Sequence, residues 1–228
     1  GAAVITVRML AFSGAADLLG PSDRAALTAL ALGRRLDFAG LQALADAATE
    51  RLQARGHMLA RATLPPQDVT GGTVSIRILQ GRLEAVDYAR AADTRVRQSL
   101  VQAIGEASIR SDRLLKSDLE TALLRMNDLP GVTAQARLSP GTAADTSRLT
   151  VDIREGPILS GMGWVDNYGD ASTGRAQGNA LLSVADATGF AERTSVRATV
   201  SEGMFVGGLD LSVPVGPHGV FLNGGYTY

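Results

Sequence analysis

The chain has 228 residues, of which 45% are hydrophobic and 20% charged, so it is long enough to bury a core and too apolar for a disordered polymer. Its 22 Lys and Arg balance 23 Asp and Glu, so it lacks a basic footprint, and we expect no nucleic-acid partner. It has no cysteine, which excludes disulfides and thiol chemistry. No apolar run is long enough for a membrane-spanning helix, and the start lacks a signal-peptide pattern, so we expect a mature or trimmed chain.

The first 80 residues predict a strand, two helices and two further strands. Pro21 and Asp23 start the first helix, and Gly33 ends it. Asp37 caps a longer helix that stops at Gly56. The three predicted strands are 4–12, 59–64 and 73–79.

Residues 81–156 repeat this order at an offset of about 75 residues, a period that suits a small domain. The repeat aligns Pro66 with Pro140, Ile78 with Ile153 and Gly81 with Gly156. Its elements are a strand at 82–88, helices at 93–104 and 115–128, and strands at 132–138 and 148–153. Each copy is therefore predicted to be a small α+β unit with its helices on one face of a sheet.

Composition changes sharply near Gly156. Residues 1–156 hold 36 of the 45 charged residues, and the last 72 hold 9. In this last part apolar and polar residues alternate along strands separated by glycine-containing turns, as at 175–185, 193–201, 209–215 and 220–228.

Two structures explain the alternation. A soluble antiparallel sandwich would bury the apolar face, whereas a membrane barrel would turn it to lipid, and the period does not choose between them. Aromatic residues towards strand ends favour the barrel, because such residues form girdles at membrane interfaces. They are Trp164, Tyr168, Phe205, Tyr226 and Tyr228.

Three groups of motifs resemble one family and occur in its order. Residues 55–69 followed by 72–86 resemble the first polypeptide-transport-associated (POTRA) domain of two-partner secretion transporters, in the Omp85 superfamily. Asp118-Leu119-Glu120, residues 127–132 and residues 138–141 resemble their second POTRA domain. Residues 166–169 with 173–175 resemble the opening of their outer-membrane barrel.

The resemblance implies an α+β chain with two tandem POTRA domains of order β-α-α-β-β, at 1–80 and 81–156. Antiparallel hairpins of a truncated transmembrane β-barrel would follow at 157–228. It implies a Gram-negative outer-membrane location, with residues 1–156 in the periplasm. Bacterial barrels need eight or more strands to close, so we expect a fragment whose open strands pair with another copy or aggregate. The expected partners are outer-membrane lipid and an unfolded secreted protein, which the POTRA domains would bind by β-augmentation and pass to the pore.

Two sets of site residues follow. An unfolded client can add a strand to an open sheet edge, and the proline-free, weakly charged run at 132–138 suits that role. This run is Val132, Thr133, Ala134, Gln135, Ala136, Arg137 and Leu138. In a barrel the polar face lines the lumen, which gives Arg175, Gln177, Asn179, Arg193 and Arg197 as lumen-facing residues.

No catalytic, cofactor-binding or metal-binding residues are predicted, and we expect no cofactor. His57 and His218 fall in different predicted domains, and no acid, base or nucleophile cluster is visible, so we expect no enzyme. Two alternatives to secretion stay open. One is a barrel-assembly or insertion factor of the outer membrane, and the other is a soluble α+β scaffold with a β-sandwich tail.

Overall fold

The computed structural model describes residues 4–228. Its internal contacts divide the described chain into two units. One unit holds the chain up to Val86 with Ile109–Leu119 and Leu138–Leu149, and the other holds Asp87–Ser108, Glu120–Arg137 and Thr150–Tyr228. The second predicted repeat therefore contributes segments to both units.

The first repeat forms around a three-stranded sheet with two helices. Its elements are β1 (Ile5–Thr6), β2 (Met9–Gly14), a short 3-10 helix (Ala16–Leu18), α1 (Pro21–Ala31), β3 (Arg35–Leu36), α2 (Phe38–Ala54), β4 (Arg61–Thr63) and β5 (Thr73–Leu79). The order β2-β5-β4 places β5 in the centre, parallel to β2 and antiparallel to β4. Asp37 caps α2, since its carboxylate accepts a 2.9 Å hydrogen bond from the Gly40 N–H.

Helical spacing puts one apolar stripe of α2 against this sheet. Leu44, Ala48 and Leu52 are buried with the alternating Val74, Ile76 and Ile78 of β5. The single strand predicted at 4–12 is instead two strands. The interruption occurs because the Val7 N–H bonds to Arg34 and the Arg8 N–H bonds to Gly72.

The second repeat has the same order. Its elements are β6 (Arg82–Arg90), α3 (Gln98–Glu106), α4 (Lys116–Asn127), β7 (Val132–Pro140) and β8 (Thr146–Glu155), and the sheet order is β6-β8-β7. The helix predicted from residue 93 begins only at Gln98, because backbone N–H groups ahead of it have tertiary partners. Arg95 and Val96 donate to the Glu155 carboxylate, and Arg97 donates to the Gly189 carbonyl.

The last third is one antiparallel sheet of five strands. They are β9 (Leu159–Asp166), β10 (Gln177–Ala185), β11 (Arg193–Ser201), β12 (Met204–Val215) and β13 (Val220–Thr227), paired in sequence order. The sequence patterns omitted β9, whose glycines and Met162 blur its alternation. The α+β class, with repeated β-α-α-β-β units before antiparallel strands, is as expected.

Candidate client-binding edge and barrel surface

The predicted client-binding run lies on β7, which is an outer strand of its sheet. The hairpin of β7 and β8 is closed by bonds from Gly141 N–H to Thr146 and from Gly156 N–H to Gly131. In an antiparallel strand, the N–H and C=O groups of successive residues point to opposite sides. Gly131 and Gly141 both bond towards β8, so the odd-numbered residues of β7 direct their N–H and C=O groups to β8. The N–H and C=O groups of even-numbered residues therefore point out from the sheet.

One of these outward-facing residues already has a partner. The Asn127 side chain accepts a 2.9 Å bond from the Ala134 N–H and donates a 3.1 Å bond to the Ala134 carbonyl. The Val132 N–H, one step earlier, bonds to the Leu129 carbonyl. The first half of the predicted run is thus covered from within the chain.

The backbone of the second half of the run is not covered by Asn127. Ala136 and Leu138 direct N–H and C=O groups outwards, and Pro140, the last residue of β7, has no N–H to offer. Arg137 lies on the exposed face beside them and pairs with Asp152 of β8 at 2.5 Å. A cavity of about 370 Å³ beside this strand is lined by Gln135, Arg137, Asp152 and Arg154, among others.

The turn after β7 is held by Glu84 of β6. Its carboxylate accepts bonds from the backbone N–H groups of Thr142 and Ala143 and from the hydroxyls of Thr142 and Thr146. The hydroxyls of Thr142 and Thr146, followed by the two N–H groups, lower the pKa of Glu84 to about 2. All four of these donors point to the ionised form of Glu84 as the one that fits the turn.

The register of the five-stranded sheet separates a polar face from an apolar one. On the polar face, the Asn179 amide donates to Asp166 at 2.8 Å and accepts from the Thr199 hydroxyl at 2.8 Å. Arg197 pairs with Asp210 at 3.3 Å. Hydrogen-bonded polar side chains therefore run across four strands, from β9 to β12.

Four of the five residues expected to line a lumen share this polar face: Gln177, Asn179, Arg193 and Arg197. The fifth, Arg175, lies in the loop before β10 and so has no strand face. The position of each of the four follows from the pairing of Asn179 with Thr199 and of Ala185 with Arg193.

The opposite face is apolar, and large side chains on it are exposed. Val165 is 84% exposed, Leu222 68% and Phe205 60%. A two-sheet sandwich would bury such a face, but no second layer covers it among residues 4–228. An uncovered apolar face of this kind is the arrangement that a barrel wall presents to lipid.

The aromatic residues divide between the faces. Phe205 and Tyr226 lie on the apolar face, near the same end of the sheet. Trp164, which the sequence placed in a girdle, pairs with Asn179 and therefore lies on the polar face. Its indole Nε1–H donates to Asp166 at 3.2 Å, which gives the polar end of the ring a partner away from lipid.

Sequence reasoning placed Asn127 in a family motif but missed its bonds to β7, which depend on how the end of α4 packs on that strand. Its proximity to the next strand, seven residues from Ala134, is the one signal available. It also missed Glu155 and Asp186, which the fold brings together. Among residues 4–228, no three His, Asp or Glu side chains group as metal ligands would. No helix in this part of the chain has the length and apolarity to cross a membrane.

Comparison with known proteins agrees with the fold. Residues 5–81 match the family model described as POTRA domain, ShlB-type. The outer membrane transporter CdiB of Escherichia coli O6:K15:H31 (strain 536 / UPEC) is 32% identical over 195 residues, which is 84% of this chain and 32% of that protein. Residues 5–81 therefore carry a POTRA domain of the ShlB type, and most of the chain is similar to CdiB.

One further relative and two solved structures are also similar to this chain. The heme/hemopexin transporter protein HuxB of Haemophilus influenzae (strain 86-028NP) is 29% identical over 162 residues, 71% of this chain and 28% of that protein. The structure of CdiB from Escherichia coli superposes with a TM-score of 0.72 at 26% identity, over 95% of this chain and 40% of that one. BamA from Haemophilus ducreyi shares the fold. It superposes with a TM-score of 0.54 at 18% identity, over 97% of this chain and 42% of that one.

The chain spans between 26% and 39% of the length of the curated relatives it matches. CdiB is named as an outer membrane transporter and HuxB as a transporter. These names agree with the expected outer-membrane location and with the expectation that the chain is not an enzyme.

Proposed function

We propose that this chain supplies the periplasmic repeats and the first barrel strands of a transporter that exports an unfolded partner protein. Residues 1–80 and 81–156 are the two POTRA domains, and residues 157–228 form part of a barrel wall. The polar face that carries Gln177, Asn179, Arg193 and Arg197 lines the lumen. The apolar face contacts outer-membrane lipid, because exposing an arginine to lipid at mid-depth costs about 2–4 kcal/mol.

The observation that carries the client-binding part is the half-open edge of β7. Ala136 and Leu138 direct backbone donors and acceptors away from β8, while Asn127 covers Ala134. An unfolded polypeptide can pair with such an edge through its main chain, whatever its sequence. Residues 136–138 are therefore the proposed contact, which is the second half of the predicted run at 132–138.

The sheet of five strands also has two edge strands, β9 and β13, each of which pairs with only one other strand among residues 4–228. Unpaired strand edges in a membrane leave costly polar groups exposed to lipid. We propose that they pair with further barrel strands or with a second copy of the chain.

Removal of one backbone N–H donor from β7 tests the proposed client site. Ala136→Pro removes the outward N–H and blocks the approach of a strand, whereas Ala136→Gly keeps the N–H and serves as the control. Affinity is measured in solution for an unfolded segment of the partner protein encoded beside this one.

The proposal predicts that Ala136→Pro weakens binding about tenfold or more, while Ala136→Gly binds as the parent does. Circular dichroism checks that both variants keep the parent fold. Equal binding by a folded Ala136→Pro protein would remove β7 as the client site.

A further inference from the structure

The turn from Asp186 to Glu192, which joins β10 to β11, is strained and buried at both ends. Asp186 and Ala191 have φ angles of 50° and 56°, a region that residues other than glycine rarely adopt. Both residues are 0% exposed. Strain of this kind persists where surrounding contacts fix the backbone, and it gathers at sites with a role.

Bonds within the turn account for part of this conformation. The Asp186 Oδ1 accepts a 2.6 Å bond from the Ala191 N–H, and the Asp186 N–H donates to the Glu192 carbonyl at 2.7 Å. The Glu192 carboxylate accepts bonds from the N–H and hydroxyl of Thr188.

Contacts with the segment ahead of α3 also hold the turn in this conformation. The Arg95 Nε donates to the Asp186 carbonyl at 3.1 Å, and the Arg97 N–H donates to the Gly189 carbonyl at 2.9 Å. The Arg97 guanidinium lies 3.4 Å from the centre of the Phe190 ring, a cation–π contact. Gly189 has a φ of +86°, and a Cβ there would lie 3.0 Å from the Arg95 carbonyl oxygen, so the close approach requires glycine.

Glu155, at the end of β8, connects the two segments. Its side chain is 2% exposed, and it accepts 2.8 Å bonds from the Arg95 and Val96 N–H groups and a 3.3 Å ion pair from the Arg95 guanidinium. Its carboxyl group is also within hydrogen-bonding reach of the Asp186 carboxyl group.

Two carboxylates cannot hydrogen-bond to each other unless one of them carries a proton. The buried Asp186 Oδ2 has no donor among the described residues, so an ionised Asp186 would leave it without a partner. A protonated Asp186 would instead donate from Oδ2 to Glu155. The proton belongs on Asp186, because Glu155 already has the two backbone donors and Arg95.

The electrostatics of the pair agree with this assignment. Burial, the bond to Glu155 and the charges of Glu155 and Glu192 raise the pKa of Asp186 to about 6. Although burial opposes it, bonds from Asp186, Arg95 and Val96 lower the pKa of Glu155. The charged groups that face Asp186 are thus Glu155, Glu192 and the Arg95 cation.

We propose that Asp186 and Glu155 share a proton in a latch, together with Arg95 and Arg97, that fixes the turn between β10 and β11 to the segment ahead of α3. Loss of the proton places two buried carboxylates against each other and loosens the turn. Because Asp186 binds its proton more tightly in the folded chain, its contribution to stability falls as the pH rises from about 4 to about 6. The latch does not depend on client binding at β7.

The test measures a distance across the latch. The chain has no cysteine, so Asp93→Cys and Ala187→Cys, both at exposed positions, give two unique sites for spin labels. Pulsed electron resonance on the full-length protein in detergent then compares pH 5 with pH 7.5. We expect one narrow distance at the lower pH, and a broader or second distance above a midpoint near 6.

Asp186→Asn is the matched variant, because its amide can accept from Ala191 and donate to Glu155 without a titrating proton. It should keep the narrow distance at both pH values. A parent distribution that is the same at both values, or a pH response that survives in Asp186→Asn, would overturn the latch. If Asp186→Asn does not fold, Glu192→Gln decides: removal of that charge should move the midpoint to lower pH, and an unmoved midpoint contradicts the proposal.

Discussion

The side-chain amide of Asn127 occupies both backbone hydrogen-bonding groups that Ala134 directs away from its sheet. A side chain here takes the place of a neighbouring strand. Proteins protect open edges because unpaired backbone groups invite pairing with other chains. Coverage of Ala134 confines the open part of β7 to its last residues, which is where we propose that a client strand pairs.

Asn127→Ala should destabilise the second repeat and lengthen its open edge. Ala134 is only 5% exposed, so its unpaired N–H should cost about 1–3 kcal/mol of unfolding free energy. Asn127→Asp keeps the acceptor for the Ala134 N–H but loses the donor for the Ala134 carbonyl, so it should lower the unfolding free energy by less than Asn127→Ala does. Amide hydrogen exchange at Ala134 and denaturant unfolding measure both effects. Unchanged exchange at Ala134 in Asn127→Ala would show that the cap does not protect this position.

Glu84→Gln should loosen the turn at 141–146 in a pH-dependent way. Because folding lowers the pKa of Glu84 to about 2, its contribution is present above its ordinary pKa of 4.5 and is lost as the pH falls towards 2. The melting temperature of the variant should therefore lie below that of the parent at pH 7 and approach it near pH 2. A difference that stays constant over this range would mean that the charge of Glu84 does not hold the turn.

An arginine should impair membrane insertion at one of two neighbouring positions of β11 and leave it unchanged at the other. Val196 lies on the apolar face and Ser195 on the polar face, where it bonds to Ser183 at 2.9 Å. Val196→Arg should impair membrane insertion by about 2–4 kcal/mol, whereas Ser195→Arg should insert as the parent does. The inserted fraction in lipid vesicles measures this. Equal insertion of the two variants would contradict the assignment of the faces.

Gly105→Ala should destabilise the packing of α3 on β6. A Cβ at Gly105 would overlap the Tyr88 hydroxyl, and overpacking of this kind costs about 1–3 kcal/mol, more than alanine gains in helix propensity. Adding Tyr88→Phe should recover part of the loss by removing the overlapping oxygen. Thermal unfolding of the single and double variants checks both steps, and no recovery in the double variant would place the strain elsewhere.

The sequence predicted those helix ends and strand faces that depend only on nearby residues. The Asp37 cap and the left-handed Gly33 and Gly56 set the ends of α1 and α2 where the sequence placed them. Alternation likewise predicted that Asn179 and Arg197 share a polar face. The start of α3 was wrong because the N–H groups of Arg95 and Val96 bond to Glu155, which is about sixty positions away in sequence. Trp164 was misplaced because its face depends on the register with Asn179.

The candidate site was predictable to the level of a strand and no further. The composition of 132–138 indicates an edge strand, but its hydrogen-bonding directions come from the hairpin bonds at Gly141 and Gly156. The Asp186–Glu155 pair depends on tertiary placement, for which a single sequence carries no local signal, and the only signal for the Asn127 cap is its distance of seven residues from Ala134.

We propose that residues 1–156 receive the client for a pore in the outer membrane. The most direct measurement deletes these residues from the full-length protein in cells, leaves the barrel strands in place, and follows export of the partner protein encoded beside it. Export should be lost while the barrel still inserts normally. Normal export by the inserted, deleted protein would contradict it.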